Sequence, residues 1–268
     1  ARFSGPGTIL DSGRDLEVDP AGNIYVTGHS GAGSGADYIT IKYNTNGIQQ
    51  WAQSFNGTGN GRDQANAITL DENNNILITG LSLGNGTNND YATIKYNAAG
   101  VQQWVQRFNG TGNDVDEASA LAVDSLGSVY VTGKSFNGTD FDYATIKYDP
   151  AGVEEWTQTF NGQAGDDEAN DIALNGEGNV YVTGFSFNGN NFDYATIKYS
   201  QVTQNINQCF TDELLQQQLQ ADPFLQSIID QQESIIKNFI EKCKLNPDSC
   251  TDFTIPVVVH IVHNPADS

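Results

Sequence analysis

One unit written four times dominates this chain. The string Ile24-Tyr25-Val26-Thr27-Gly28 returns as ILITG at 76–80 and as VYVTG at 129–133 and 180–184. DYITIKY at 37–43 returns as DYATIKY at 90–96, 142–148 and 193–199, at spacings of 53, 52 and 51 residues. Trp51, Trp104 and Trp156 keep step, as does Phe-Asn-Gly at 55–57, 108–110 and 160–162. A unit copied at this period has too little interior of its own and must bury its apolar face against its neighbours.

Within a unit the apolar period is two, which specifies strands. In the second copy they are expected at Ala65–Leu70, Asn75–Leu81, Tyr91–Tyr96 and Val101–Phe108. The breaks fall at Asp71-Glu72-Asn73-Asn74, at 84–89 and at Asn97-Ala98-Ala99-Gly100. The third copy has Asp149-Pro150-Ala151-Gly152 at the last of these turns, with Pro at a preset φ and Gly free for positive φ. Four antiparallel strands per repeat is the signature of a β-propeller blade. The first strand is small (Ala65, Ala67, Ala118, Ala120, Ala122), as an innermost strand near a ring axis should be. The tryptophans are expected at equivalent, largely buried positions between blades. The fold class is therefore all-β: a propeller of four repeats, about 11–62, 63–115, 116–166 and 167–199, as an open arc or incomplete ring.

Ala1-Arg2-Phe3-Ser4-Gly5 aligns with Gln106-Arg107-Phe108-Asn109-Gly110, and the last repeat lacks its fourth strand. An N-terminal strand that completes the last blade would latch a ring. However, only a stub of that strand remains and it lacks the Trp. We expect an open arc, with pairing between Phe3 and the strand of Ile197 as the sign of closure. The absence of Met and the Ala at position 1 suggest a processed or truncated piece.

The net charge of −21 argues against nucleic acid or an anionic membrane as partners. No apolar run is long enough to span a bilayer as a helix. Charged residues at 17% and aromatics at 10% oppose disorder.

These repeats resemble the SBBP family of bacterial β-propeller repeats, on the D-x-A, G-N-V-Y-V-T-G, D-Y-A-T-I-K-Y, Trp and Phe-Asn-Gly elements quoted above. WD and kelch repeats fit less well, because no Trp-Asp or Gly-Gly pair recurs. After Tyr199 the composition changes. Residues 200–208 form a polar linker, and 209–250 are expected to be helical, with Asp222-Pro223 as a helix start. The apolar positions from Phe224 to Ile240 follow helical spacing, and the helical span runs from about Asp212 to Lys244. Thr254–Asn264 reads as a buried strand. This tail is similar to the pro-segment and opening strand of cytophagalysin or pappalysin zinc metallopeptidases, which makes 251–268 the start of a truncated catalytic domain. The family's H-E-x-x-H motif would lie downstream. Zinc is implied only for that domain, and the resemblance places the parent protein outside a bacterial cell, secreted or at the cell surface.

Candidate chemistry is sparse. His260 and His263 lie three apart on a strand and point to opposite faces, so they cannot share an ion. By the resemblance, Cys209 is a cysteine-switch thiol that would occupy zinc's open position; Phe210 stands where the family has Gly, and the alternative is an unpaired thiol. Cys243 and Cys250 are either a tight disulfide or two free thiols. Asp11, Asp63, Asp116 and Asp167 precede the first strands. With Asp15, Asp114, Asp166 and Asp171 they suggest calcium, but without a D-x-D-x-D-G loop a structural turn or inter-blade hydrogen bond is the better account. Lys42, Lys95, Lys147 and Lys198 recur as a ring suited to pairing that stabilises the blades. Asn-Gly-Thr at 56–58, 85–87, 109–111 and 137–139 matches a glycosylation sequon but fits Asn-Gly turns. Among positions that break the repeat, His29, Arg62 and Arg107 do not form a cluster on the sequence.

These features favour a non-catalytic, monomeric extracellular binding or spacer module with an unknown protein or carbohydrate ligand, accessory to a zinc metallopeptidase. The alternative is a fragment of a secreted metalloendopeptidase whose missing domain hydrolyses peptides. No catalytic or cofactor-binding residue is assigned, and this chain by itself is expected to be inactive. A propeller glycosidase or lyase would need a cluster of residues that break the repeat at the channel mouth.

Overall fold

The computed structural model describes residues 1–5, 10–31, 35–162, 165–203 and 254–261. The expected helix at 212–244, Cys209, Cys243, Cys250 and His263 lie outside the described residues. The described residues divide into two units, one within 1–174 with 181–196 and one of 175–180 with 197–203 and 254–261.

The first unit contains three complete four-stranded antiparallel sheets in sequence order. Sheet 1 is β1 (Asp11–Val18), β2 (Ile24–Ser30), β3 (Asp37–Tyr43) and β4 (Gln49–Phe55). Sheet 2 is β5 (Asp63–Leu70), β6 (Ile76–Leu83), β7 (Asn89–Tyr96) and β8 (Gln102–Phe108). Sheet 3 is β9 (Asp116–Val123), β10 (Val129–Phe136), β11 (Phe141–Tyr148) and β12 (Glu154–Phe160). The same unit holds β13 (Asp167–Leu174), most of β14 (Val180–Phe187) and the first part of β15 (Phe192–Thr203). The second unit holds the rest of β15 and its sheet neighbour β16 (Thr254–Ile261). The strand expected over Thr254–Asn264 is present over Thr254–Ile261.

The turns form for reasons written in the sequence. Asp71 accepts hydrogen bonds from the backbone N–H of Asn73 and Asn75, both at 2.9 Å, while Asn74 takes φ 57°. Asn97 caps its turn likewise, with Gly100 at φ 81°. Asn tolerates the left-handed region and Gly enters it without strain.

Sheet 2 buries both faces because a blade stacks on each side of it. Tyr25 and Tyr38 of sheet 1 form one core with Ile76, Ile78, Ile94 and Tyr96 of sheet 2, and Trp51 and Phe55 pack on it. Leu77 and Tyr91 of sheet 2 pack in the same way on Val129, Val131, Ile146 and Tyr148 of sheet 3. Tyrosine hydroxyls pin the stack: Tyr38 donates to the Ala92 carbonyl at 3.2 Å and Tyr91 to that of Ala144 at 3.2 Å. The first strands β1, β5, β9 and β13 run side by side through the unit, which is where small residues are needed. Among the described residues of this unit the series is an open arc.

All three tryptophans are partly buried at equivalent positions on the fourth strands, and Trp51 and Trp104 pack against the inter-blade cores. The indole Nε1 of Trp51 donates to the Ala98 carbonyl at 3.3 Å, and that of Trp104 to Pro150 at 3.2 Å. Reaching the outer turn of the next blade keeps one ring edge in solvent.

Candidate functional site

The recurring aspartates form clasps. Asp63 Oδ2 accepts the Gly57 N–H at 2.7 Å and its Oδ1 accepts that of Leu83 at 3.1 Å. Asp116 does the same for Gly110 at 2.8 Å and Phe136 at 3.1 Å. Asp167 holds Gly162 at 2.6 Å, and Asp11 holds Gly5 at 3.0 Å and the Ser30 hydroxyl at 2.6 Å. Each carboxylate thus ties the Phe-x-Gly end of one strand to the second strand of its own sheet. These are the inter-blade hydrogen bonds the repeat pattern suggests. Among the described residues no three or more His, Cys, Asp or Glu side chains converge as metal ligands.

The lysine ring is also spent on the fold, though each partner differs. Lys95 pairs with Asp71 at 3.2 Å and Lys147 with Glu155 at 2.7 Å. Lys42 donates to the Ala98 carbonyl at 3.3 Å and lies over the Tyr25 ring. Lys198 lies in the second unit. In the Asn-Gly-Thr segments, the Asn56 side chain donates to Asn60 at 2.7 Å and that of Asn109 to Asn113 at 2.8 Å, as turn residues do.

What the shared residues leave over collects on the first strands. Asn66 and Ser119 are extra residues opposite the second strand, at β-bulges that aim side chains out of the ladder. Arg62 donates to Gln64 at 2.7 Å, Gln64 to Asn66 at 2.8 Å, and Asn66 to Glu117 at 3.2 Å and to the Ala118 carbonyl at 2.8 Å. Lys134 then bridges Glu117 at 3.7 Å and Glu168 at 2.9 Å. Six side chains from four successive repeats make one connected polar strip along the inner edge. His29 is buried beside it. Burial first, then the Arg14 and Arg62 charges, hold its imidazole below the ordinary range, which favours the neutral form.

The sequence did not single out Gln64, Asn66, Glu117, Lys134 or Glu168. Their signal is variation between copies: Ser12, Gln64, Glu117 and Glu168 occupy one position, and His29, Leu81, Lys134 and Phe185 another. Of the three repeat-breaking residues named from the sequence, Arg62 belongs to the strip and His29 feels its charge. Arg107 lies elsewhere, donating to Ser82 Oγ at 2.7 Å and to Asp90 at 3.1 Å.

Arg107 marks a second feature. Asp37, Asp90 and Asp142 open the third strands and each faces the clasp aspartate of the next repeat. Only Asp90 has a guanidinium beside it. Burial, with added repulsion from Asp140 and Asp167, pushes the Asp142 carboxyl up to about 6. Its folded form therefore holds a proton better than its unfolded form does. The associated stability is complete below about pH 4 and is lost as pH rises through about 6. Asp142→Asn should match the wild type at pH 4 and exceed it by about 1–2 kcal/mol at pH 7.5. Urea midpoints at the two pH values test this, and a difference that does not change with pH would refute it.

A family model described as SBBP β-propeller repeat matches residues 1–34, 50–86 and 103–142. No curated protein matches the chain. Among solved structures, a gluconolactonase from Xanthomonas campestris aligns at 13% identity and TM-score 0.38, covering 65% of this chain and 55% of that one. A second, gluconolactonase-like protein aligns at 15% identity and TM-score 0.39, covering 67% and 57%. The tail fibre of Staphylococcus aureus phage P68 aligns at 12% identity and TM-score 0.23, covering 72% and 50%. This chain thus spans little more than half the length of the two gluconolactonase-type propellers. The segments matched by that model lie within the repeats read from the sequence and seen as four-stranded blades, so this part of the chain is similar to SBBP β-propeller repeats.

Proposed function

We propose that the repeats form a non-catalytic binding module of a secreted protein, with the inner-edge strip as its contact surface. One observation carries this reading. Polar residues common to the copies are consumed in clasps and turns, whereas several that differ between copies, Arg107 apart, gather in the connected run from Arg62 to Glu168. Carbohydrate hydroxyls match that run chemically. They can accept from Lys134, Gln64 or Asn66 and donate to Glu117 or Glu168. The module's place beside a zinc metallopeptidase is proposed on the sequence resemblance of 205–268 alone.

A glycan array probed with the whole chain tests the assignment. Retention on particular glycans should fall about tenfold or more for Lys134→Ala, by loss of a charge-assisted hydrogen bond, measured where the variant, which also loses its bridges to Glu117 and Glu168, remains folded. Absence of glycan binding, or binding indifferent to Lys134, overturns the contact surface. Turnover of peptide or lactone substrates by this chain, with or without zinc, overturns the non-catalytic reading.

A further inference from the structure

We infer that the outward face of sheet 1 is the seat of a further blade of the same repeat type, joined to this chain through Phe3-Ser4-Gly5. Sheets 1, 2 and 3 carry the same receiving residues, but only sheets 2 and 3 are filled. On sheet 2, Ile76, Ile78 and Ile94 are fully buried beneath Tyr25, Tyr38, Trp51 and Phe55. On sheet 3, Leu77, Tyr91, Trp104 and Phe108 cover the same positions. On sheet 1 the equivalents Ile24 and Val26 are only half-buried. Leu16 is 58% exposed and Val18 51%, whereas Ile68, at the Leu16 position of sheet 2, is 4% exposed. A cavity of about 380 Å³ lies over this face, lined by Phe3, Gly13, Ile24, Val26, Ile41 and Tyr43 among others.

The shape of the vacant seat identifies its occupant. A Cβ on Gly100 would lie 2.9 Å from the Trp51 ring, and one on Gly152 2.8 Å from Trp104, so those glycines make room for the tryptophan of the preceding blade. Gly47 holds the same turn position at φ 73°, and the nearest atom to its Cβ position is Ala1 Cβ at 4.0 Å. A tryptophan slot is therefore built and open. Gly5 already donates to Asp11 as Gly57 does to Asp63 and Gly110 to Asp116, which is the contact made by the end of a preceding fourth strand. A second copy of this chain is a poorer occupant. The strand beside its β15, β16, contains neither Trp nor Phe.

A copy of residues 63–105 fused directly ahead of Ala1, and separately a copy of residues 11–52, test the inference on the full chain. Each fusion continues the repeat in register into Phe3. We expect amide exchange in β1 and β2 to slow at least about tenfold and binding of an apolar-surface dye to fall. Leu16→Asp should be nearly silent in the 268-residue chain and should lower the urea midpoint of the extended one. Replacing the added copy's tryptophan with alanine should remove the gain. Failure of both fusions to protect β1 and β2 overturns the inference, whether or not the added copies fold. So does sedimentation showing a concentration-dependent dimer of the 268-residue chain that Leu16→Asp dissolves.

Discussion

Replacing Asp63 with alanine is expected to cost about 3–4 kcal/mol of unfolding free energy, the larger share of it from what is left behind. The side chain is wholly buried and accepts from Gly57 and Leu83, so truncation strands two backbone N–H groups where water does not reach. A buried donor that loses its acceptor costs about 1–3 kcal/mol. Asp63→Asn should lose roughly half as much, because one amide oxygen still accepts while the NH₂ group faces a donor. Asp116→Ala should resemble Asp63→Ala, since it holds Gly110 and Phe136 in the same way. Asp11→Ala should be milder, because Asp11 is only half-buried and solvent can take over its partners. Urea unfolding followed by tryptophan fluorescence would rank the four. Equal losses for Asp63→Ala and Asp11→Ala would show that the clasp is not a buried device. Because stability in repeat arrays is shared between units and their interfaces, a lower m-value in Asp63→Ala would show sheets 1 and 2 melting apart.

The sequence revealed this architecture unevenly, for physical reasons. Period two and the turn residues fix strands locally, so β5 to β8 fall within two residues of the spans read from the sequence. Small residues on the first strand located the inner edge, since crowding leaves no alternative there. The clasp aspartates were legible as repeating polar residues, and their partners were not, because Gly57 and Leu83 contribute only backbone. The inner-edge strip was harder to see. Gln64 and Asn66 differ in type from Glu117 and Lys134 and lie far from them in sequence, and bulges and blade stacking bring them together. Trp51 and Trp104 were placed correctly by equivalence, while their hydrogen bonds to Ala98 and Pro150 were not foreseen. A repeat pattern reports which residue recurs, and it is silent on how far an indole reaches.

The glycine that closes each I/V-x-x-Thr-Gly string shows the same limit and gives the second large effect. Gly28, Gly80, Gly133 and Gly184 recur in every copy, but a left-handed backbone is not the reason: none is among the positive-φ glycines. Each stands opposite the first strand. In the first three sheets the register shifts beside this glycine, so the extra residue pushes the partner strand's backbone toward it. A Cβ on Gly80 would fall inside contact distance of the Gln64 carbonyl oxygen and 2.9 Å from the Ala65 Cα. Gly133 meets Glu117 and Ala118 in the same way. The obstruction is backbone held in a ladder, which cannot rotate aside as a side chain can. Gly80→Ala and Gly133→Ala should therefore each cost about 3 kcal/mol, at the upper end for overpacking a core. Gly86 provides the control. It sits in a turn at φ 85° with nothing near its Cβ position, so Gly86→Ala should cost about 1 kcal/mol through backbone strain alone. Urea midpoints of the three variants decide the matter. If Gly80→Ala proves no worse than Gly86→Ala, the bulge yields to a methyl group, and the close approach of β5 to β6 does not explain why glycine recurs there.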